Sequence, residues 1–267
     1  MSNNYVEYIT DEDLFECIKQ LYDGYKTALS SKNLKTFVKN KIDPVKFIFD
    51  AKILDMSMEE YIQREVIRQS DKSISNYIGT FHENLLGKVA GYEKLPVGNS
   101  IDIKSKDGKV VAEVKNKHNT VKGEDNVHIF KKLESIVEDQ NNEVEKAFYV
   151  RIIDTKSQNK QWKGSSKKIP YENENVYIIS GDKFYEFLTG RPNAFAELCS
   201  ILPKAFNDFI LTLPEEERIA PENSTVIEEI KNHSSDEGYV TDKEFLTRLF
   251  KINFASYNGF LDFEIKE

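Results

Sequence analysis

Cysteine is nearly absent from this 267-residue chain; only Cys17 and Cys199 occur. Two distant cysteines argue against a disulfide framework and against a His–Cys zinc site, and a reducing cytoplasm is the expected setting. No apolar run approaches the roughly 18 residues needed to span a membrane. The start, Met-Ser-Asn-Asn-Tyr-Val-Glu-Tyr, has no basic n-region and no apolar h-region, so no signal peptide is expected. Gly-rich phosphate loops and a Gly-x-Ser-x-Gly elbow are missing. The four histidines, His82, His118, His128 and His233, show no metal-ligand spacing. Internal repeats and low-complexity tracts are missing too. What is present is 39% hydrophobic and 12% aromatic residues, which argues against disorder and for a core that needs no staples.

The formal net charge is −8, which taken alone counts against a nucleic-acid partner. Its distribution says more. Lys104–Lys132 holds eight lysines against four acids, and Arg151–Lys168 holds six basic residues against Asp154. These two blocks carry +4 and +5, so the rest of the chain carries −17. The second block on its own reads equally as a solvated loop or as a DNA face, and the hairpin within the first block raises the value of both.

Within the first block, Asn99–Lys117 is the most informative stretch. Two apolar-alternating runs flank Asp107-Gly108, a dipeptide that favours a type I′ hairpin turn. Asp102 lies on the first run. Glu113 and Lys115 lie two apart on the second, so both point to one face of a strand, with Val110, Ala112 and Val114 on the other, which is expected to be the core face. Two acids can share a divalent cation, and a neighbouring lysine can position a water. Acid-x-Lys recurs at Asp50/Lys52, Asp107/Lys109, Asp154/Lys156, Glu229/Lys231 and Glu264/Lys266. Of these sites, only Glu113/Lys115 has a paired strand that bears an acid.

Around the hairpin the first ninety residues read as helical: Asp11–Ser30, Asn33–Asn40, Pro44–Leu54 and Tyr61–Gln69. Ser57 and Glu60 form a capping pair before the last of these, a break follows near Ser70–Ser73, and a further helix runs to about Val89. The hairpin strands are Ile101–Lys104 and Lys109–Lys115. A polar loop, Asn116–Glu124, leads to a helix over Asp125–Asp139. Ala147–Ile153 and Asn175–Ile179 read as strands, Asp154–Lys168 as a long loop, and Asp182–Leu188 and Ala194–Leu213 as helices. Glu215–Tyr239 reads as an acidic linker. Thr241 caps a last helix to about Lys251, and Phe260–Ile265 alternates like a closing strand. This order predicts an α/β fold with a mixed central β-sheet flanked by helices. The expected organisation is one domain: a helical N-terminal region (about 1–75), a core (about 76–213) and an acidic arm (about 214–267).

Asp102 followed by Glu113-Val114-Lys115 resembles the PD-(D/E)XK nuclease superfamily. Ile101 stands where that pattern usually has proline. In the preceding helix, Ile78, Phe81, Leu85 and Leu86 form an apolar stripe, while Gly79, Glu83 and Gly87 share another face. The superfamily places an acidic residue in this helix beside the metal, and Glu83 matches it. With the polar, basic run Asn116-Lys117-His118-Asn119-Thr120-Val121-Lys122, the stretch Ile78–Asp125 resembles type II restriction endonucleases of the Eco-forty-seven-II group, associated with GGNCC sites.

That resemblance implies a restriction-endonuclease-like fold and Mg²⁺-dependent, site-specific cleavage of double-stranded DNA that leaves 5′-phosphate ends. Asp102 and Glu113 would bind Mg²⁺ with the Val114 carbonyl as a further ligand. Lys115 would orient the attacking water, and Glu83 would lie beside the metal. Asn116, Lys117, His118, Asn119, Thr120 and Lys122 would reach DNA. Lys156, Lys160, Trp162 and Lys163 would clamp it from the second basic block, although Trp162 reads equally as an anchor to the core. A homodimer matches a palindromic target. A cognate DNA methyltransferase is expected in the same system, without direct contact. The alternatives are a repair or junction nuclease of the same superfamily, and a DNA-binding or protein-interaction module without catalysis.

Overall fold

A computed structural model describes residues 4–30, 33–118, 123–166, 169–218, 229 and 242–253. The chain divides into two compact units. One comprises Met1–Asp23 and Asn76–Arg218, the other Gly24–Ser75 and Ile219–Glu267. Helices α1 (Asp11–Leu29) and α4 (Met58–Lys88) each contribute to both.

The first unit is built on a sheet. Among the described residues, six strands form it: β1 (Tyr92–Lys94), β2 (Ile103–Ser105), β3 (Val110–Lys117), β4 (Lys146–Ile153), β5 (Asn159–Ser166) and β6 (Ile169–Ser180), in the order β1-β2-β3-β4-β6-β5. The β3/β4 and β4/β6 pairs are parallel, and the rest are antiparallel. Helix α5 (Gly123–Glu138) makes the crossover from β3 to β4, as a parallel pair requires. Its Ile129, Phe130 and Leu133 pack with Val111, Tyr149 and Ile178 of the sheet. On β4 the alternate residue Phe148 packs instead on Phe184 and Phe187 of α6 (Gly181–Thr189). Helix α7 (Ala194–Thr212) completes the described helices of this unit, followed by a 3-10 turn at Glu215–Glu217. The mixed sheet flanked by helices is the architecture the sequence predicts.

The second unit has its own core. Phe37 of α2 (Leu34–Phe37) and Phe47 of α3 (Pro44–Ile53) meet Tyr61 and Ile62 of α4 and Phe245 and Leu249 of α8 (Asp242–Asn253). The Ser57/Glu60 capping box forms: each side chain accepts from the other residue's backbone N–H.

Four expectations about elements are corrected. No break occurs at Ser70–Ser73, because the Ser70 and Ser73 hydroxyls donate to the Val66 and Gln69 carbonyls, a local satisfaction that leaves the helix continuous. The Asp154–Lys168 stretch is not a long loop; it contains β5, a sheet-edge strand whose lysines mask its period. The β2–β3 turn is not type I′, which requires positive φ at both central residues. Gly108 N–H closes a turn onto the Ser105 carbonyl, and within that turn only Gly108 has positive φ, +79°. Lastly, Val111 is as buried as Ala112 and Val114, so β3 has core on both faces over its first half. Thr241 and Phe260–Ile265 lie outside the described residues, as does most of Glu215–Tyr239.

Candidate active site

The site forms where the hairpin, α4, β1 and α5 of the first unit meet. Asp102 lies just before β2. Its backbone N–H donates to the Ala112 carbonyl at 2.9 Å, and its carbonyl accepts from Leu95 at 2.8 Å. The Val114 N–H donates to Asp102 Oδ2 at 2.7 Å, which ties the carboxylate to β3. Glu113 is buried, with 7% of its surface exposed, yet it is not an isolated charge. Lys115 Nζ reaches Glu113 Oε1 at 2.6 Å, and Lys132 Nζ of α5 reaches Oε2 at 2.6 Å. Glu83 of α4 pairs with Lys94 of β1 at 2.9 Å.

Gly87 makes that last pairing possible. A Cβ at Gly87 would come within 2.6 Å of the Lys94 backbone nitrogen, so β1 can approach α4 only over a glycine. Gly79 has no such role, because a Cβ there would make only ordinary contact with Asn116. His82, next to Glu83, is packed away; its Nδ1 lies 3.3 Å from the Tyr185 hydroxyl, and burial pushes its pKa down to about 4, which keeps it neutral.

Electrostatics join these groups. Burial pushes the Asp102 carboxyl up to about 6, and the Glu113 and Glu83 carboxylates add to the rise. The Val114 N–H and the Lys115 ammonium pull the other way without cancelling it. Burial opposes the charge on Lys115, but the contact with Glu113, backed by Asp102 and Glu83, outweighs it and raises the lysine. Asp102, Glu113, Glu83 and Lys115 therefore share one field. Among the described residues, no group of three or more His, Cys, Asp or Glu side chains is arranged to hold a metal ion.

Three further residues belong here and escaped the sequence reading. Lys132 stands between Ile129 and Ile136 in helical spacing, at the flank of the buried α5 face formed by Ile129, Phe130 and Leu133, and a lysine beside that apolar face is the signal that marks it. On β4, Tyr149 and Arg151 stand in register beside Glu113 and Lys115. The Tyr149 hydroxyl and Arg151 Nε are buried without hydrogen-bond partners among the described residues. Burial raises the Tyr149 hydroxyl, and the Arg151 guanidinium lies 5.0 Å from its ring centroid.

Of the residues expected on a DNA face, Asn116 and Lys117 end β3, and His118 follows it. Asn116 Oδ1 and His118 Nδ1 have no described partner. Asn119, Thr120 and Lys122 lie outside the described residues. Lys156, Lys160 and Lys163 are exposed on the far side of the sheet order, and Lys163 pairs with Glu172 at 2.7 Å. Trp162 needs correction as a DNA contact. It is 5% exposed, and its ring stacks on Tyr149 with centroids 4.7 Å apart. The indole anchors β5 to the core and supports the tyrosine beside Glu113.

Comparison with known proteins now places the chain. Residues 6–211 match the Eco47II restriction endonuclease family. The chain belongs to that family. It is 41% identical over 220 residues to the type II restriction enzyme Sau96I of Staphylococcus aureus, covering 79% of this chain and 84% of that protein. It is 38% identical over 215 residues to the type II restriction enzyme Eco47II of Escherichia coli, covering 78% and 88%. Membership makes this endonuclease a type II restriction enzyme, a site-specific deoxyribonuclease. No described helix of the endonuclease is long and apolar enough to cross a membrane.

Proposed function

We propose that the endonuclease hydrolyses DNA phosphodiesters at GGNCC sites with Mg²⁺ as cofactor, using Asp102, Glu113 and Lys115, and leaves 5′-phosphate ends. The observation that carries this reading is the convergence of Asp102 and Glu113 from adjoining strands, with the Lys115 ammonium 2.6 Å from Glu113. The donor set suits a hard divalent cation. It offers carboxylate oxygens, and positive charge offsets the burial and the neighbouring carboxylates that raise Asp102. The ion keeps several waters of its own, so two carboxylates and the Val114 carbonyl make a sufficient set. When bound, such an ion supplies charge to the scissile phosphate and lowers the pKa of a water.

The chain's own residues do the rest. Asp102 must be ionised to serve as a ligand, and the Val114 N–H steadies that charged form. Lys115 orients the attacking water and faces the charge that develops on the phosphate. A water oxygen bonds to phosphorus as the P–O3′ bond breaks; the water gives its proton to solvent and the departing O3′ takes one from solvent, which leaves a 3′-hydroxyl and the phosphate on the 5′ side of the downstream nucleotide. Glu83, held by Lys94, adds negative potential beside the ligands. Asn116, Lys117, His118, Asn119, Thr120 and Lys122 form the DNA-facing run. Lys156, Lys160 and Lys163 add backbone contacts. The negative total charge does not oppose this, because affinity follows the charge on the binding face. A two-fold dimer presents this face to each half of a palindrome, and a cognate methyltransferase in the same system protects host DNA, with no direct contact implied.

Digestion of a sequenced plasmid, with fragment ends mapped, tests this reading. Discrete ends at GGNCC in Mg²⁺, with little or no turnover in Ca²⁺, are expected. Cleavage of branched DNA alone would transfer the chain to a structure-specific nuclease.

A further inference from the structure

We infer that Lys132 is a placeholder that holds Glu113 closed to a divalent cation until DNA arrives, so that the site loads its metal together with its substrate. The inference rests on the metal-dependent reading above. It begins from a charge balance. Three carboxylates, Asp102, Glu113 and Glu83, are matched by three ammoniums, Lys115, Lys132 and Lys94, while Arg151 beside them is offset by Asp154, and both oxygens of Glu113 are taken. A doubly charged cation added to this balanced set must displace an ammonium or leave an excess of positive charge in a half-buried place.

Lys132 is the ammonium built to move. Lys115 shares β3 with Glu113, whereas Lys132 reaches across from a separate element, α5; both side chains are partly open to solvent, so what separates them is the element each stands on. Its long methylene stem carries the ammonium from α5 across to Glu113 Oε2, 2.6 Å away. A long, flexible stem can swing its head to a new anion without repacking the helix. An arriving DNA phosphate is such an anion. Transfer of Lys132 from Glu113 to phosphate frees Oε2, and the negative charge of the phosphate then offsets the incoming cation. Lys132 acts through Glu113 and the DNA backbone, so it is a positioning residue.

The test compares wild type, Lys132→Met and Lys132→Arg. Methionine keeps an apolar stem and removes the charge; arginine keeps the ion pair. Mn²⁺ binding to the DNA-free protein is followed by electron paramagnetic resonance, and duplex binding is measured in EDTA. Lys132→Met should bind Mn²⁺ at least about tenfold more tightly than wild type, and duplex DNA several-fold more weakly. Lys132→Arg should stay within about twofold on both. Thermal melting confirms that each variant is folded, and the arginine variant serves as the probe if methionine prevents folding; there, a tenfold rise in Mn²⁺ affinity would contradict a retained block. Unchanged Mn²⁺ affinity in folded Lys132→Met overturns the placeholder while leaving plasmid cleavage in Mg²⁺ as support for the metal-dependent reading. Wild type that cleaves plasmid without any divalent cation overturns both.

Discussion

At the β2–β3 end of the sheet, lysines meet carboxylates; at the β5–β6 edge, they meet solvent. Lys115 and Lys132 converge on a glutamate with 10% of its side chain exposed. Lys163 pairs with Glu172, but both side chains are more than 60% exposed, where an ion pair contributes little to stability. Both regions are basic blocks in sequence. The difference lies in what stands across from the lysines. A buried carboxylate needs cations and binds them tightly, whereas an edge strand uses lysines to stay unpaired with other sheets. Local basic charge thus marks a candidate region, and buried acids within it mark the chemistry.

The largest effects should fall on the hairpin. Asp102→Ala or Glu113→Ala should lower cleavage by roughly three orders of magnitude or more, since each removes a proposed hard oxygen ligand. Lys115→Ala should cost about two to three orders, the scale of losing one charge-stabilising donor. Glu83→Ala should be milder, because Glu83 stands beside the proposed ligands on α4 and acts only through its charge. Single-turnover rates on plasmid DNA separate the three. Equal losses at Glu83 and Glu113 would erase the distinction between a ligand and a neighbour.

At the β5 edge, stability should respond more than chemistry. Trp162→Ala removes a ring packed on Tyr149 and Phe130 and should destabilise the fold by about 3–5 kcal/mol. Denaturant melts would show this. A stable Trp162→Ala variant with weakened DNA binding would return the indole to the DNA face.

The pH dependence has a definite sign. Asp102 binds its proton more tightly in the folded protein than in the unfolded chain, with its pKa raised from 3.8 to about 6. Its contribution to stability therefore falls as pH rises from about 4 to about 6, and stays low above that. Cation binding runs the other way and should strengthen through the same window, because the carboxylate must be ionised. Asp102→Asn should thus gain on the order of 1–2 kcal/mol of metal-free stability at pH 7, after allowance for solvent screening, while losing cleavage. Melts at pH 4.5 and pH 7.5 test this. A gain at the lower pH alone would reverse the assignment.

The smallest expected effect is at Lys160 and Lys163. Replacing both by Ala should weaken binding to every sequence alike and flatten the salt slope by about 1 to 2. An unchanged slope would remove this edge from the DNA interface.

The hairpin was legible in the sequence because a strand obeys a two-residue period: Glu113 and Lys115 had to share a face, and Asp102 had to lie across from them. Glu83 was legible because the glycines at helical spacing marked a close approach, although Gly87 admits β1 and Gly79 admits nothing unusual. The residues missed depend on tertiary placement. Lys132 and Glu113 are nineteen positions apart and meet only once α5 crosses back over the sheet. β5 was obscured because only Trp162 points inward among polar neighbours, and a register shift between Gln161 and Lys163 breaks its alternation. The Ser70–Ser73 break failed for a local reason, since hydroxyls bonded back along their own helix do not end it.

Whether Asp102 and Glu113 are the ligands through which a divalent cation supports site-specific cleavage is tested most directly by measuring cleavage of a single-site duplex by wild type, Asp102→Ala and Glu113→Ala across a Mg²⁺ titration, with DNA binding checked in Ca²⁺. Wild type should cleave in proportion to Mg²⁺ occupancy and both variants should be nearly inactive at every concentration, with duplex binding largely retained. Cleavage by either purified variant at the wild-type rate would rule these ligands out.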